Sequence, residues 1–343
     1  MDLIEDAIRK LLVHPGNIAA VRAIGIGCPG QCKEGVIVAA SNFTYRNVPI
    51  TKLVTEKFGP PCILLNDADA AMAAEIWNPQ LYVDDVGLID KNFNAVMITV
   101  GTGIGVSLML RGEIYEGSNG VIEAGHMILN KQGRKCGCGQ TGCAEAYASA
   151  NNTAIRMQEA IGTSLKENQY TDIDETGNEF GAEMVFRKAA SGNPTAVKVL
   201  DETTEYLAIL CINICRVIDP AVIIFGGGMA MAGDILISKV NKHIQKLTWN
   251  VLPTDVELRV AQSADHGGIK GAAFAAERMH RRLQQNSQHS TTSQIFHLFR
   301  DSLGGIYNQW LHFMNGPFYI RAGITLFGIC TSFVLGRASK RGS

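Results

Sequence analysis

Strong charge of either sign is absent from this sequence of 343 residues. Only 18% of the residues are charged, and the formal net charge is −1. A nearly neutral chain has no general electrostatic attraction to nucleic acid or to an anionic membrane surface. The composition therefore argues against a partner that binds through charge alone and favours a small molecule as the binding partner.

A secretory start is also missing, because the first six residues have neither the basic beginning nor the apolar core of a signal peptide. Nine cysteines would suit a disulfide scaffold only in a much shorter chain. We therefore expect a reducing, cytoplasmic compartment in which most thiols are free. The length exceeds the ~250 to 300 residues over which a single core usually grows, so two domains are expected.

Long hydrophobic runs are scarce as well. Residues 322–336 form an uncharged, largely apolar run, but it is shorter than the ~20 residues that a comfortable membrane span needs. It follows a polar, linker-like stretch at 284–294. A short membrane anchor at 322–336, a packed C-terminal helix and an aberrant terminal exon all remain open for this tail.

What the chain does have is an alternation of β-type and α-type patterns. Short apolar runs predict buried strands, and apolar residues three and four positions apart predict helices. The predicted strands are Ala23–Gly27, Cys62–Leu65, Val96–Val100, Val106–Leu110 and Val222–Phe225, and the predicted helices are Leu3–Leu12, Ala68–Trp77, Pro194–Arg216 and Gly233–Leu247. Gly101–Gly105 is expected to be a tight turn between two of the strands. The pattern predicts two α/β lobes that meet at a cleft.

The strongest chemical signal is a set of four metal-type ligands within eighteen residues. His126 is followed by Cys136, Cys138 and Cys143, with glycines between the cysteines. Three thiolates and one imidazole make a closed tetrahedral set, which suits a structural zinc because a catalytic zinc normally keeps an exchangeable water. A disulfide and unpaired buried cysteines are the alternatives. We predict a zinc site.

Three of these segments together resemble the signature of the ROK family (repressor, open reading frame, kinase). They are Glu123-Ala-Gly-His126, the run Cys136 to Glu145, and the preceding Gly101-Thr-Gly-Ile-Gly105. The resemblance extends from about Asp2 to about Arg282 and is greatest to glucokinase-like members. It implies an actin-like, ribonuclease-H-like two-lobed α/β fold, a homodimer, and transfer of the γ-phosphoryl group of ATP, with Mg²⁺, to a sugar hydroxyl.

The resemblance also implies roles for single residues. Asp67 matches the general base that accepts the proton of the sugar hydroxyl, and Asp69 is its rival two positions later. Without the surrounding motifs, Asn66-Asp67 after a strand would be interpreted as a helix cap rather than as a catalytic motif. The matched sugar-binding residues are Gly30, Asn66, Asp67, Glu123, His126 and Glu145. The zinc would orient a sugar contact through His126 without entering the chemistry.

Two glycine clusters resemble the nucleotide-binding segments of the family. Gly101, Thr102 and Gly103 resemble a phosphate loop, in which backbone N–H groups and a hydroxyl receive phosphate oxygens. Gly226, Gly227 and Gly228 resemble the adenosine segment. Each cluster alone is also compatible with an ordinary glycine turn between elements.

One departure from the family pattern affects the expected activity. No Asp-x-Gly-Gly-Thr phosphate loop occurs before Ala23, and Met1–Arg22 resembles the helix that normally follows that loop. We therefore expect the first strands of the small lobe to be missing, which costs donors to the ATP phosphates; one such element is worth ~10² to 10³ in rate. The hypothesis is a weak or inactive kinase that still binds sugar. A shorter isoform or a truncated gene prediction would explain the same pattern.

These features predict a domain layout and leave several functions open. Residues 1–93, with about 270–283, form an incomplete small lobe, 94–269 form a large lobe with the zinc loop 126–143, and 284–343 form a linker and tail. Phosphorylation of glucose to glucose 6-phosphate is the first function. The alternatives are a kinase for N-acetylmannosamine, N-acetylglucosamine or fructose, and a non-catalytic sugar-binding or regulatory protein.

Overall fold

The computed structural model describes five stretches of the chain: residues 21–39, 45–76, 93–162, 181–263 and 266–285. Contacts divide the chain into two units, Met1–His280 and Arg281–Ser343. The predicted helix Leu3–Leu12 and the apolar run 322–336 lie outside the described residues. Among the helices that are described, none combines the length and apolar character that crossing a bilayer requires.

Ten strands and eight helices are described. The strands are β1 (Ile24–Cys28), β2 (Gln31–Lys33), β3 (Val36–Ala39), β4 (Arg46–Val48), β5 (Cys62–Asn66), β6 (Ala95–Val100), β7 (Ile104–Leu110), β8 (Glu113–Ile114), β9 (Val222–Gly226) and β10 (Glu257–Val260). The helices are α1 (Ile50–Phe58), α2 (Asp67–Ile76), α3 (Glu145–Ala148), α4 (Ala150–Ala160), α5 (Ala182–Ala190), α6 (Pro194–Ile218), α7 (Asp234–Leu247) and α8 (267–285). Short 3₁₀ turns cover Ala124–His126 and Gly228–Ala232.

The largest sheet has the strand order β10-β9-β6-β7-β8. Its middle strands β6 and β9 run parallel, whereas β7 returns antiparallel to β6. Every residue of β9 and nearly every residue of β6 is buried, as expected for strands that are covered on both faces. The parallel pairing brings the carboxyl ends of β6 and β9 to one edge of the sheet.

Two smaller sheets lie on the N-terminal side of the chain. Strands β1 and β5 pair in parallel, with Cys28 opposite Asn66 at their carboxyl ends. Strands β2, β3 and β4 form an antiparallel sheet. The turn between β1 and β2 contains Gly30, whose φ of 97° lies in the left-handed region that glycine adopts without strain. The β1–β2 turn and the end of β5 are therefore adjacent.

Helix α2 is buried on almost all sides and joins several parts of the fold. The alanines at 68, 70, 73 and 74 allow neighbouring backbone to approach closely, and a Cβ on Gly271 of α8 would lie only 1.6 Å from the oxygen of Ala70. At its other end the buried carboxylate of Glu75 accepts backbone N–H bonds from Gln262 (3.0 Å) and Ser263 (2.7 Å). These contacts fix α2, and with it the side chains of its first turn.

Local signals explain where the longest helix begins and ends. The side chain of Asn193 accepts the N–H of Ala196 at 3.0 Å, and Pro194 occupies the first turn, where a missing N–H costs nothing. Asp219 ends α6 in the left-handed conformation. Helix α6 packs against α5 and α7 and carries one wall of the core.

The five predicted strands, and the predicted helices from Ala68 onward, match described elements within one or two residues at each boundary. The remaining described elements, β2, β3, β4, β8, β10, α1, α3, α4, α5 and α8, had not been predicted. One difference concerns the turn that was expected over Gly101–Gly105. Strand β7 already begins at Ile104, and Gly105 pairs with Thr99, so the turn consists of residues 101–103 only. Helix α6 also continues two residues beyond Arg216. The division of these elements into two lobes stays a prediction.

Candidate active site

The metal-type ligands lie on one loop, residues 126–143, which backbone contacts fold back on itself. Cys136 N–H donates to the oxygen of Gln140 (2.9 Å), and Gly142 N–H donates to that of Arg134 (2.7 Å). Gly142 has a φ of 88°, and a Cβ at this position would lie 1.8 Å from the oxygen of Asn130. Glycine is therefore required there for the loop to close.

The four predicted metal ligands converge. One donor atom from each of His126, Cys136, Cys138 and Cys143 lies within 4.8 Å of all the others. Cys136 Sγ is 3.5 Å from His126 Nδ1, and Cys138 Sγ is 3.7 Å from Cys143 Sγ. A tetrahedral zinc with ordinary bond lengths needs edges of about 3.6 Å between sulfur and nitrogen and about 3.8 Å between two sulfurs. The residues present therefore fit a zinc ion.

Without a metal, the three thiols of the loop have different pKa values. Burial raises the pKa of Cys143 to about 12 and also raises that of Cys136. Hydrogen bonding, first from the backbone of Gln140, lowers the pKa of the exposed Cys138 thiol to about 7. A bound cation favours the thiolate form, so metal binding would release protons from the buried pair.

The first turn of α2 separates the two candidate bases. Asp67 is exposed, whereas Asp69 is only 7% exposed and accepts a hydrogen bond of 2.5 Å from Ser107 Oγ of β7. Burial raises the pKa of Asp69 to about 6, although the Ser107 bond opposes this shift. Asp67 thus remains accessible to a substrate, and Asp69 faces the interior.

Asn66 has two hydrogen-bonding roles at the end of β5. Its Oδ1 accepts the N–H of Ala68 at 2.9 Å, which is the helix-cap role, and its Nδ2 donates to the oxygen of Gly30 at 2.8 Å. The cap interpretation is thus confirmed, and the same side chain connects the β1–β2 turn with the start of α2. Gly30, Asn66 and Asp67 are brought together at the carboxyl ends of β1 and β5.

The predicted sugar-binding carboxylates share one region. Glu123 Oε2 lies 3.8 Å from His126 Nε2, the ring nitrogen that is not directed at the metal position. Burial raises the pKa of Glu123, and the negative charges of Glu145 and Asp67 add to the increase. Backbone contacts place the three residues in one region. A Cβ on Gly125, two residues after Glu123, would lie 2.0 Å from the oxygen of Ile104, whose N–H binds Glu145, and a Cβ on Gly105 would lie 3.4 Å from that of Ala68, next to Asp67.

Glu145 lies between the metal loop and the glycine turn. Its Oε2 accepts the backbone N–H of Ile104 at 2.9 Å, and its Oε1 lies 3.7 Å from Cys136 Sγ. A Cβ on Gly103 would lie 2.4 Å from Oε2, so a side chain at this position would displace the Glu145 carboxylate. One carboxylate oxygen is thus already used in holding the turn, a contact that the sequence did not predict.

The two glycine clusters meet at the same sheet edge. Gly101 N–H donates to the oxygen of Gly103 at 3.0 Å, which closes the turn and leaves Thr102 exposed. Gly227 has a φ of 77°, and a Cβ on it would approach the oxygen of Val100 to 2.7 Å. The predicted phosphate and adenosine segments therefore lie side by side at the ends of β6 and β9.

Two residues with a supporting role were not anticipated. Ser107, which binds Asp69, is an ordinary buried position on β7 with no sequence signal of its own. Tyr147 Oη accepts the N–H of Arg134 at 2.8 Å, while its ring stacks on Tyr206 with centroids 3.8 Å apart. In the sequence, the tyrosine of α3 is the only indication of this support for the metal loop.

Comparison with known proteins identifies relatives over most of the chain. The model of the ROK family matches residues 1–279. A glucokinase from Halalkalibacterium halodurans is 30% identical over 291 residues, which are 83% of this chain and 85% of the relative. A xylose repressor from Caldicellulosiruptor bescii is 24% identical over 273 residues, 79% of this chain and 65% of the relative.

A solved structure gives the corresponding result for the fold. The ROK family glucokinase from Streptomyces griseus, in complex with glucose and AMPPNP, superposes with a TM-score of 0.62 at 25% identity. The match covers 81% of this chain and 88% of that protein. The actin-like α/β fold class that the sequence predicted is thereby confirmed, whereas the absence of the first small-lobe strands stays a prediction.

Proposed function

The chain belongs to the ROK family, and we propose that it is an ATP-dependent hexose kinase that converts glucose to glucose 6-phosphate. The observation that carries the proposal is that backbone contacts bring Asp67, Glu123, Glu145 and the glycine turn 101–103 into one region. A base, hydroxyl-binding groups and a phosphate turn are the parts that transfer of a phosphoryl group to a sugar requires.

Asp67 is the proposed general base. Phosphoryl transfer asks the protein mainly to position the reactants and to neutralise charge, while one carboxylate accepts the proton of the attacking hydroxyl. The exposed position of Asp67 at the first residue of α2 supports this role. Asp69 is unsuited to it because its carboxylate is buried and bonded to Ser107.

Gly30, Asn66, Glu123, His126 and Glu145 are the proposed sugar-binding residues. His126 connects the sugar side to the metal loop, because one ring nitrogen faces Cys136 and the other faces Glu123. His126, Cys136, Cys138 and Cys143 would hold a structural zinc, which supplies no reactive ligand and fixes the orientation of the imidazole. The sugar hydroxyls would then contact hydrogen-bonding groups whose orientation is already fixed.

Gly101–Gly103 and Gly226–Gly228 are the proposed ATP-binding segments. The exposed Thr102 of the first segment offers a hydroxyl that suits phosphate oxygens, and the second segment lies where the adenosine would follow. Mg²⁺ would enter with ATP and reduce the charge on its phosphates. A homodimer and a cytoplasmic location remain predictions that accompany this proposal.

A second candidate is a non-catalytic, sugar-binding regulatory protein. The similarity to the xylose repressor favours it, because the family includes regulators as well as kinases. Kinases for N-acetylmannosamine, N-acetylglucosamine or fructose are further candidates, since the same hydroxyl-binding and phosphate-binding groups would serve them. The regulator and the kinases differ in one measurable property, which is turnover of ATP.

The decisive experiment is a coupled ADP-release assay with ATP, Mg²⁺ and a panel of glucose, N-acetylmannosamine, N-acetylglucosamine and fructose. We expect turnover that depends on glucose and that falls by about 10² to 10⁴ in Asp67→Ala, the range that general-base catalysis contributes. Sugar binding, measured by calorimetry, should persist in this variant.

Asp234→Ala is the matched control, because Asp234 is also an exposed aspartate at the first position of a helix. It should turn over like the unmodified protein. If folded, zinc-loaded protein binds glucose but releases no ADP with any sugar of the panel, the kinase proposal is wrong and the regulatory candidate takes its place. Preferential turnover of another sugar would correct the substrate alone.

A further inference from the structure

A set of hydrogen bonds joins two segments that are far apart in sequence and that each lead to a predicted sugar-binding residue. The segments are strand β2 (Gln31–Lys33) and the loop Ser118–Gly120, and together they are called the clasp. Its three bonds run from Gln31 Nε2 to Asn119 O (2.6 Å), from Cys32 N to Gly120 O (3.2 Å) and from Lys33 Nζ to Ser118 O (2.8 Å). All three acceptors are backbone oxygens, so the clasp fixes the path of the loop.

Close backbone contact reinforces the clasp at Gly120. This residue has a φ of 71°, and a Cβ on it would lie 2.1 Å from the carbonyl oxygen of Cys32. That distance is far below any real contact, and the obstructing atom belongs to a strand rather than to a flexible side chain. Any residue other than glycine at this position would push β2 and the loop apart.

The clasp lies directly beside the proposed sugar site on both of its segments. Gly30 immediately precedes Gln31, and Glu123 follows Gly120 after only two residues. Glu123 is thus held between two anchors, the clasp at Gly120 and the metal loop at His126. Its own side chain is only partly buried and meets His126 at 3.8 Å. The orientation of Glu123 therefore depends on how its backbone is fixed at both ends.

We propose that the clasp is a positioning device for sugar recognition, in which Gln31 and Gly120 hold Gly30 and Glu123 at a fixed separation. The inference rests on the proposed function, because it assigns the clasp to the same sugar site. Gln31 and Gly120 touch neither the sugar nor ATP in this scheme; they act through the residues beside them. A loosened clasp would leave the nucleotide segments and the metal ligands intact.

The first test compares Gly120→Ala with Gly192→Ala. Gly192 has a similar φ of 83° but open space around it, so the control imposes the same backbone strain without the contact. In Gly120→Ala we expect calorimetric glucose affinity to fall by about tenfold or more, since several hydrogen bonds must lengthen. AMPPNP affinity and zinc content should match the unmodified protein, and Gly192→Ala should retain its glucose affinity.

Gln31→Met is the second variant, and it avoids backbone strain altogether. Loss of the single bond to Asn119 should weaken glucose binding about three- to tenfold, and Gln31→Lys, which restores a donor, should recover most of it. If both Gly120→Ala and Gln31→Met bind glucose normally, the clasp proposal is wrong while the proposed function stands. If the unmodified protein binds no sugar of the panel, the proposed function fails, and this inference fails with it.

Discussion

The metal loop and the first turn of α2 both gather ionisable groups beside the same site, yet they control those groups in opposite ways. The loop brings three thiols and an imidazole within 4.8 Å of one another, two of the thiols in buried positions. Helix α2 instead separates its two carboxylates, because Asp67 faces outward and Asp69 faces Ser107 in the interior. The loop therefore needs a cation to ionise its two buried thiols, whereas the helix relies on burial and a hydrogen bond.

This difference predicts that the two regions respond to different perturbations. Removing a metal should loosen the loop and leave α2 unchanged, because α2 is held by packing against α8 and by Glu75. A change of pH in the mildly acidic range should change the protonation of Asp69 whether or not a metal is bound. If a perturbation affected both regions equally, the two regions would not be controlled in different ways.

The largest effect is expected from loss of a metal ligand. Cys143→Ser should purify without zinc and lose sugar-dependent turnover by about a hundredfold or more, because His126 and Glu145 are then no longer oriented by the closed loop. Elemental analysis and the ADP-release assay measure the two results. Exhaustive chelation of the unmodified protein should reproduce them.

Cys215→Ser is the control for that change, since Cys215 is a free, partly buried cysteine of α6 outside the metal loop. It should retain one zinc per chain and full turnover. Normal zinc content in Cys143→Ser would contradict the four-ligand site, and normal turnover in zinc-free protein would contradict the orienting role. The packing contacts of α2 should persist in the zinc-free protein.

An intermediate effect is expected from Asp69→Asn, and it concerns stability as a function of pH. Burial raises the pKa of Asp69 from 3.8 to about 6. Between these values the folded protein keeps a proton that the unfolded chain has released, so the free energy of unfolding falls as pH rises through this window. Asparagine removes the cost of ionisation, and we expect a gain of about 1 to 3 kcal/mol at pH 7 that shrinks toward pH 4.5.

Urea unfolding of both proteins at pH 4.5 and pH 7 measures this difference. Other groups titrate equally in the two proteins, so the difference between the curves isolates Asp69. Asp234→Asn, at an exposed aspartate, should follow the unmodified protein at both pH values. A constant offset between Asp69→Asn and the unmodified protein would mean that Asp69 does not ionise in this range.

The same two regions show what the sequence could and could not predict. The ligands of the metal loop were found from sequence because they lie within eighteen residues and their chemistry is specific. The exposure of Asp67 and the burial of Asp69 required the structure, since both residues follow the same strand and only the direction of α2 makes one exposed and the other buried. Local patterns likewise predicted β6 and β9 from their short apolar runs and α6 from its apolar residues at helical spacing.

Contacts between distant segments were the part that local patterns missed. Gln31 meets Asn119 across 88 positions, and Ser107 meets Asp69 across 38. Neither pair has a spacing or a residue type that marks it, because serine and glutamine serve in many surface and core positions. Such pairs follow from the three-dimensional path of the chain, which only the assembled sheets determine. The predicted helix Leu3–Leu12 remains outside the described residues.

The smallest effect is expected from Tyr147→Phe, which tests how far the protein itself supports the metal loop. Tyr147 Oη accepts the N–H of Arg134 and fills the space that a side chain on Gly133 would need. Phenylalanine keeps the stack on Tyr206 but leaves that N–H without its acceptor, so we expect a loss of about 0.5 to 1.5 kcal/mol in unfolding free energy. Zinc release to a chelator should be a few-fold faster, whereas Tyr115→Phe, at an exposed tyrosine, should change neither quantity. An unchanged release rate would mean that Tyr147 does not help to hold the metal, and the contrast with α2 would then be sharper.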